Sequence, residues 1–356
     1  MRRPLVGAIA GFGFIAERGH LPAYRLHPER FAIAAVVDTC PERRELARRM
    51  LPGARIYEDP ALLFAAEAER LDFLDIATPP SEHAALAHAA LACGLHVLCE
   101  KPITTTAAAA HAVLAHARAA RRVFFPSHNY RHAPVVKAVR EHLASGDLGT
   151  VHLVTLHTFR PTHARGVAEW QPDRRRAQRH AGGGIAMDHG SHSFYLAFDW
   201  LRSYPTAVTA HAGFRGGLET EDEFACTVEF PTGTAIAHLT WNAGVRKVMY
   251  SLHGDRGALT IDDDQLELAH HDTGEVTRRS IASHWGDASH VTWFASLQAA
   301  FAAAIMRGEH AGKEAVDAMC SIELIEAAYA SASAGSRLVS LQHATGWRRA
   351  YAQFAG

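Results

Sequence analysis

The chain has 356 residues, of which 48% are hydrophobic and 21% are charged, and its formal net charge at pH 7 is −1. This length favours two domains, and the near-neutral charge argues against a surface for nucleic acid. No apolar run approaches the roughly 20 residues of a membrane-spanning helix. We therefore expect a folded, cytoplasmic protein that binds neither nucleic acid nor membrane.

The first third of the chain alternates between apolar runs and helix-like stretches. The predicted strands cover 5–13, 31–38, 71–80, 94–102 and 122–129. The predicted helices between them include 41–50, 81–93 and 104–120. Continuous apolar strands joined by amphipathic helices are typical of a parallel, doubly wound α/β sheet that is covered on both faces. Ligands of such sheets bind beyond the carboxyl ends of the strands.

The first strand ends in GFGFIA, a GxGxxA form of the dinucleotide-binding fingerprint. Gly11 permits a tight turn, Gly13 lets the backbone approach a pyrophosphate, and Ala16 allows close packing of a helix on the strand. Because the motif follows a strand and opens a helix-like stretch, it predicts a dinucleotide-binding domain at the start of the chain.

Asp38 stands at the end of the second predicted strand, about 20 residues beyond the fingerprint. A carboxylate there accepts hydrogen bonds from both hydroxyls of an adenosine ribose and repels a 2′-phosphate. Asp38 therefore predicts NAD as the cofactor. Arg43 and Arg44 follow closely and could bind a 2′-phosphate, so NADP stays possible.

Later strand ends carry further residues suited to a ligand cleft. Thr78 and Pro79 follow the third predicted strand, and His83 comes soon after them. Lys101 follows the fourth predicted strand within the sequence EKP, where the next proline fixes the chain and lets the ammonium point into the cleft. The sequence HNYR at 128–131 follows the last predicted strand and could line the floor of the cleft.

The pattern changes after about residue 150. The predicted strands are 151–159, 207–214, 223–230, 234–243, 247–254 and 257–263, and two long helices are predicted at about 288–307 and 313–335. Several of these strands alternate between apolar and polar residues, and turn signals separate them. This pattern predicts an α+β domain with a large, open, mostly antiparallel sheet.

The segment GGGIAMDHGSH at 182–192 places three glycines before Asp188 and His192. If the segment is helical, the two side chains lie one turn apart on the same face. We expect the glycines to let the backbone come close to substrate and nicotinamide, with the acid and the imidazole available for proton transfer.

GFGFIA, ATPPSEH, CEKP and GGGIAMDHGSH together resemble, in order and spacing, the glucose–fructose oxidoreductase and inositol dehydrogenase family (Gfo/Idh/MocA). The resemblance implies a Rossmann domain over 1–125 and a substrate-binding and oligomerisation domain over 126–356, whose last helices can pack back on the first. It implies a nicotinamide cofactor, a sugar or cyclitol substrate, and a homodimer or homotetramer formed across the second sheet. By this resemblance, Lys101, Asp188 and His192 are the catalytic residues.

The expected site divides into two sets of residues. The expected cofactor contacts are Gly11, Gly13, Phe14, Ile15, Asp38, Thr78, Pro79, His83, Glu100 and Lys101. The expected substrate contacts are Lys101, Asn129, Tyr130, Arg131, Trp170, Asp188 and His192. We expect His192 to be the general base and Lys101 to stabilise the developing alkoxide, and Lys101 as the base stays an alternative. The sequence has no spacing typical of a metal site.

The predicted function is NAD(P)-dependent hydride transfer to or from a secondary alcohol or ketone of a sugar, sugar derivative or cyclitol. One alternative is a glycosidase that uses transient oxidation by bound NAD. The other is a nucleotide-binding sensor without catalysis, which would need none of the three catalytic residues. The arginines at 174–176, beside Trp170, either rim the substrate site or form a solvated charged run.

Overall fold

The structure is a computed structural model that describes residues 3–171, 173 and 177–341. The arginine run at 174–176 therefore lies outside the described residues. Among the described residues, no helix is both long enough and apolar enough to cross a membrane.

The first half of the chain forms a six-stranded sheet in which every pair of neighbouring strands is parallel. Its strands are β1 (Leu5–Ala10), β2 (Phe31–Val37), β3 (Arg55–Tyr57), β4 (Phe73–Ile76), β5 (His96–Cys99) and β6 (Phe124–Pro126). Their order is β3-β2-β1-β4-β5-β6, so the chain reverses direction across the sheet between β1 and β4. The prediction of a doubly wound sheet is confirmed, and a ligand cleft is expected at this switch point.

Six helices connect and flank these strands. They are α1 (Leu21–Arg25), α2 (Pro41–Met50), α3 (Pro60–Glu67), α4 (Pro80–Ala92), α5 (Ala107–Ala120) and α6 (Pro134–Ser145). Four of them begin at a proline, whose fixed φ suits the first helical position. Side chains of Asp59 and Thr106 cap α3 and α5 by accepting backbone N–H groups of the first turn. The short β3 and α3 were not predicted from the sequence.

The second half forms a nine-stranded sheet with the order β14-β13-β12-β11-β7-β10-β9-β8-β15. The strands are β7 (Val151–Phe159), β8 (Ala207–Gly213), β9 (Glu223–Phe230), β10 (Gly233–Thr240), β11 (Lys247–Gly254), β12 (Gly257–Asp262), β13 (Gln265–His270), β14 (Val276–Ser280) and β15 (Val339–Ser340). Only β7 and β10 pair in parallel. The predicted antiparallel sheet is thus confirmed, with three strands more than the sequence pattern predicted.

The helices of the second half are α7 (Gln178–Ala181), α8 (Ser191–Leu201), α9 (Val291–Arg307) and α10 (Lys313–Ser333). One face of the sheet is buried, as shown by Phe224 and Val228 on β9. Helix α9 instead packs on the first sheet, where the ring of Phe301 lies 5.6 Å from that of Phe73. The last part of the chain therefore joins both sheets.

Candidate active site

A cleft runs along the carboxyl ends of β1, β4 and β5, and its two parts share Thr78. The outer arm is lined by residues that include Gly11, Gly13, Asp38, Thr78, Pro79 and Trp170. The inner arm is lined by residues that include Ile15, Thr78, Glu100, Lys101, Asp188 and Trp241. The cleft therefore joins the glycine-rich turn after β1 to residues from the second half of the chain.

Lys101 and Asp188 meet across the inner arm. Lys101 follows β5, and Asp188 lies in a π-helical turn, Ala186–Gly190, that leads directly into α8. The Lys101 Nζ donates to the Asp188 carboxylate and to the Asp188 backbone carbonyl, each at 2.8 Å. An ammonium group has three N–H bonds. Two of them are directed at Asp188, and the third can reach a ligand in the cleft.

His192 lies in the first turn of α8 and is only 3% exposed. Its Nδ1 is 2.7 Å from the Tyr195 hydroxyl, and the ring of Tyr130 stacks on its face at 3.8 Å between centroids. Burial, followed by the positive charge of Lys101, holds the pKa of His192 well below its usual value. The imidazole is therefore neutral near neutral pH.

The structure adds a packing reason for the triple glycine, which the sequence did not predict. A Cβ atom on Gly183 would overlap the Tyr329 hydroxyl, and one on Gly184 would overlap the Glu221 carbonyl. The Glu221 carboxylate also accepts the backbone N–H groups of Gly184 and Ala186 at 2.8 and 2.9 Å. Gly183 and Gly184 also line the inner arm, so the expected approach of their backbone to substrate and nicotinamide stays a prediction.

The outer arm suits a dinucleotide at the expected fingerprint. Gly11 has a φ of +86°, and a Cβ there would lie 2.8 Å from the Thr78 nitrogen. At Gly13, in contrast, no atom of the described residues apart from its chain neighbours lies within 4 Å of the position a Cβ would take. A ligand can therefore approach the backbone at Gly13. Ile15 lines the inner arm, and Phe14 is 45% exposed.

The Asp38 carboxylate is held in place at the wall of the outer arm. Its two oxygens accept the backbone N–H groups of Phe12 at 2.6 Å and of Cys40 at 2.8 Å. Each oxygen keeps a further lone pair. The carboxylate is thus positioned to accept hydrogen bonds from a ligand that enters the outer arm.

Arg43 and Arg44, which could bind a 2′-phosphate, both pair with acidic side chains. The Arg43 guanidinium is buried, 2.6 Å from Glu17, and also donates to the Phe12 carbonyl. Arg44 lies 3.3 Å from Glu58. Their positive charges are therefore shared with carboxylates.

A buried ionic network, which the sequence analysis missed, lies beneath the inner arm. His20 contacts Asp75 at 2.8 Å through Nδ1 and Glu100 at 3.0 Å through Nε2, and the Tyr24 hydroxyl donates to Asp75 at 2.9 Å. Although burial opposes the charged form, the two carboxylates raise the pKa of His20 to about 10. An aspartate inside the apolar run LDFLDIA was the signal for this network, since a buried carboxylate needs a partner. Glu100 thus anchors the loop that carries Lys101.

Trp241 is a second residue that the sequence analysis did not single out. It follows β10, lines the inner arm and is 3% exposed. Its Nε1 is buried, and no hydrogen-bond acceptor for it is present in the described part of the chain. A buried N–H group in a cleft wall is a ready donor to a ligand hydroxyl.

Three of the expected contacts need correction. His83 is buried and bridges the carbonyls of Thr78 and Pro102 at 2.9 and 2.8 Å, so it fixes two cleft loops and its ring nitrogens are occupied. Trp170 lines the outer arm beside Asp38, rather than the expected substrate rim.

Arg131 is the third correction, because carboxylates of the fold engage its guanidinium. The turn Asn129–His132 directs its guanidinium toward acids of α8 and α10, where it pairs with Asp199, Glu314 and Asp317. These carboxylates raise the pKa of Arg131 against the effect of burial. Its role is structural, and neighbouring Asn129 is also buried.

Two family models match consecutive parts of the chain. The model described as an oxidoreductase family with an NAD-binding Rossmann fold matches residues 6–128, and that of the GFO/IDH/MocA C-terminal domain matches residues 136–260. The fold and the cleft thus define an NAD-binding oxidoreductase. The chain belongs to the Gfo/Idh/MocA family.

Several known proteins are similar to this chain. The uncharacterized oxidoreductase YdgJ of Escherichia coli K12 is 31% identical over 256 residues, which are 71% of this chain and 69% of that protein. D-apiose dehydrogenase of Paraburkholderia graminis is 27% identical over 348 residues, which are 94% of this chain and 89% of that protein.

Solved structures share the fold over nearly the whole chain. An oxidoreductase from Agrobacterium radiobacter, in complex with NAD+, L-tartaric acid and magnesium, has a TM-score of 0.82 and 23% identity, and covers 95% of this chain and 98% of its own. Levoglucosan dehydrogenase in complex with NADH has a TM-score of 0.81 and 20% identity, with 95% and 99% covered. Relatives with a named activity include D-apiose dehydrogenase, D-glucoside 3-dehydrogenase and levoglucosan dehydrogenase, and the family match makes this chain an oxidoreductase.

Proposed function

We propose that the protein transfers a hydride between NAD and a secondary alcohol or ketone of a sugar, a sugar derivative or a cyclitol. The observation that carries the proposal is the Lys101–Asp188 pair in the inner arm, continuous with the fingerprint and Asp38 in the outer arm. Relatives named D-apiose dehydrogenase and levoglucosan dehydrogenase support a sugar as the substrate class. Bound in this cleft, NAD would supply the hydride acceptor.

Lys101 is proposed to bind the oxygen of the reacting carbon. Its ammonium is held by two hydrogen bonds to Asp188, so its remaining N–H bond is oriented before substrate binds. A fixed positive donor stabilises negative charge that develops on this oxygen in the transition state. Asp188 is thereby a positioning residue for Lys101, in addition to any contact with the substrate.

His192 is proposed to accept the proton of the substrate hydroxyl. When its Nδ1 donates to Tyr195, the Nε2 atom carries a free electron pair, and the lowered pKa keeps the ring neutral. The Lys101 Nζ is already paired with the Asp188 carboxylate and is the less suitable acceptor. In this proposal, the neutral His192 accepts the proton of the hydroxyl, and the positively charged Lys101 donates a hydrogen bond to its oxygen.

NAD rather than NADP is the proposed cofactor. Asp38 places a negative charge on the wall of the outer arm, and the nearby Arg43 and Arg44 are engaged by Glu17 and Glu58. A 2′-phosphate would therefore meet a carboxylate without a fully available counter-charge.

Association through the second sheet is also proposed. On β10, Leu239 is buried whereas Ile236, on the opposite face, is 38% exposed. Burial of an apolar outer face in a homodimer or homotetramer removes that face from water and stabilises the assembly. Sedimentation at micromolar concentration tests this proposal, and a monomer alone would contradict it.

The proposed function is tested by incubating the protein with NAD or NADP and a panel of sugars, sugar acids and cyclitols, while the absorbance of NADH is followed. We expect NADH to accumulate with at least one member of the panel. Release of an aglycone from a glycoside without net NADH would instead indicate the glycosidase. Binding of NAD without turnover of any member, in a protein shown to be folded, would indicate the sensor.

A further inference from the structure

Two arginines lie at the same end of two neighbouring strands of the second sheet. Arg160 directly follows β7, and Arg246 directly precedes the antiparallel neighbour β11. The Arg160 backbone N–H donates to the Thr240 carbonyl at 2.9 Å, next to Trp241 in the wall of the inner arm. We call Arg160 and Arg246 the arginine pair.

The arginine pair has no carboxylate within ion-pair distance among the residues that the structure describes. Arg160 donates to the carbonyls of Phe159 and Lys247 at 2.8 and 3.1 Å, and Arg246 donates twice to the carbonyl of Trp285. Carbonyl groups satisfy N–H bonds but do not neutralise a full positive charge. The contacts therefore explain how the two side chains are held, and leave their charge uncompensated.

Burial makes this uncompensated charge costly. Arg160 is 4% exposed, and its buried Nε has no acceptor in the described ranges. Arg246 reaches the surface, yet burial of its guanidinium and then the charge of Arg160 lower its pKa. The acid whose negative charge acts on Arg246 is Asp263, which lies 3.3 Å from Lys247 and is shared with that lysine. A buried cation without an anion destabilises the fold unless a ligand supplies one.

The arginine pair lies close to the residues proposed for catalysis. Arg160 Nη2 is 3.5 Å from the Tyr130 hydroxyl, and the Tyr130 ring stacks on His192. His290 packs against the same Tyr130, and burial followed by the charge of Arg246 lowers its pKa to about 4. His290 thus stays neutral and adds no further charge. Arg160 is therefore linked to His192 through the single ring of Tyr130.

We propose that the arginine pair binds an oxyanion of the substrate, and that the protein acts on an acidic sugar. The charge can belong to a carboxylate, as in a uronate or aldonate, or to a phosphate ester, since both match the planar fork of a guanidinium. This inference rests on the proposed function for the chemistry at the carbon, and adds the substrate class.

The test compares glucose, glucuronate and glucose 6-phosphate, and the corresponding members of any other series that reacts, by their kcat/KM with NAD. We expect the wild type to prefer one acidic member over its neutral counterpart by about tenfold or more, which corresponds to one charge-assisted contact. The carboxylate and phosphate members distinguish the two sources of charge. A wild type that prefers the neutral sugar would overturn the inference while leaving the proposed function intact.

Arg246→Gln is the main variant, because Arg246 is exposed and its loss leaves no new cavity in the core. It should lower kcat/KM for the acidic sugar about tenfold more than for the neutral one, and Arg246→Lys should restore part of the preference. Arg278→Gln is the matched control, since Arg278 is an exposed arginine on edge strand β14 of the same sheet. An equal loss for both sugars in Arg246→Gln would contradict the inference.

Calorimetry measures binding of the same acidic and neutral sugars with NADH present. This measurement distinguishes failure of the anion site from failure of the proposed hydride transfer. Tighter binding of the acid that is lost in Arg246→Gln, without turnover of any sugar, would support the anion site and reject the proposed reaction. Equal binding of acid and neutral sugar would reject the anion site, whatever the turnover.

Discussion

The two arms of the cleft differ in how the chain builds them. The outer arm is assembled mainly from turns at the carboxyl ends of neighbouring parallel strands, such as Gly11 after β1 and Asp38 after β2, and Trp170 adds to its wall from the second half of the chain. The inner arm joins Lys101 of the first domain to Asp188 and Trp241, which lie far along the chain. The outer arm depends on local sequence, and the inner arm depends on how the two sheets pack. Substrate identity therefore depends on the inner arm, which short sequence motifs predict less well than the outer arm.

The largest effect is expected from Lys101→Met, which removes the charge that joins the two domains at the inner arm. Turnover should fall about a thousandfold, as for loss of a transition-state donor, while NAD still binds. Steady-state kinetics and calorimetry with NAD measure the two effects. A normal turnover would show that the ion pair with Asp188 is structural only.

His192→Asn should lower turnover about a hundredfold. Because burial and Lys101 hold the pKa of His192 below 6.5, wild-type turnover should stay constant as pH falls through 6.5 and decline only at lower pH.

In Lys101→Met the charge repulsion between Lys101 and His192 is absent, so the pKa of His192 rises and the residual activity should decline at a higher pH than in the wild type. Profiles of turnover against pH measure this shift. If His192→Asn keeps normal turnover, the base is another group.

Asp38→Asn tests the outer arm alone. Removing one negative charge should reduce the preference for NAD over NADP about tenfold, with little effect on turnover at saturating cofactor. Titration of both cofactors by calorimetry measures the preference. Glu45→Gln, an exposed charge on α2, is the control and should leave it unchanged. Tighter binding of NADP than of NAD by the wild type would show that Arg43 or Arg44 decides the preference.

Trp241→Phe should have the smallest effect, because it keeps an aromatic ring and removes one N–H donor. We expect KM for the sugar to rise about fivefold, the value of one neutral hydrogen bond, with NAD affinity unchanged. Steady-state kinetics measure KM. An unaltered KM would mean that Nε1 does not contact the substrate.

The sequence predicted those elements and site residues that are encoded by patterns of a few neighbouring residues. Apolar runs predicted both sheets, and the fingerprint and EKP identified residues that the structure places in the cleft. Strand β14 was missed because VTRRS is polar and mostly exposed, as an edge strand allows. The His20 network was missed because its partners, Asp75 on β4 and Glu100 just after β5, lie far from His20 along the chain.

For Arg131, the sequence predicted a substrate contact that the structure does not support. Its position after the last parallel strand placed it near the cleft, but a turn sends its side chain to acids on α8 and α10. Arg160 had no local signal, since an arginine after a strand is ordinarily a solvated loop residue. Only the packing of β7 beside β11 brings it near Arg246.

Transfer of deuterium from the substrate to NAD is the most direct test of the account. The sugar that reacts in the panel is deuterated at the carbon to be oxidised and is incubated with wild-type protein and excess NAD, and the cofactor is then analysed by mass spectrometry. The account predicts that deuterated NADH accumulates with each turnover, and that Lys101→Met forms it about a thousandfold more slowly. Product that forms while the NAD pool stays free of deuterium would contradict it.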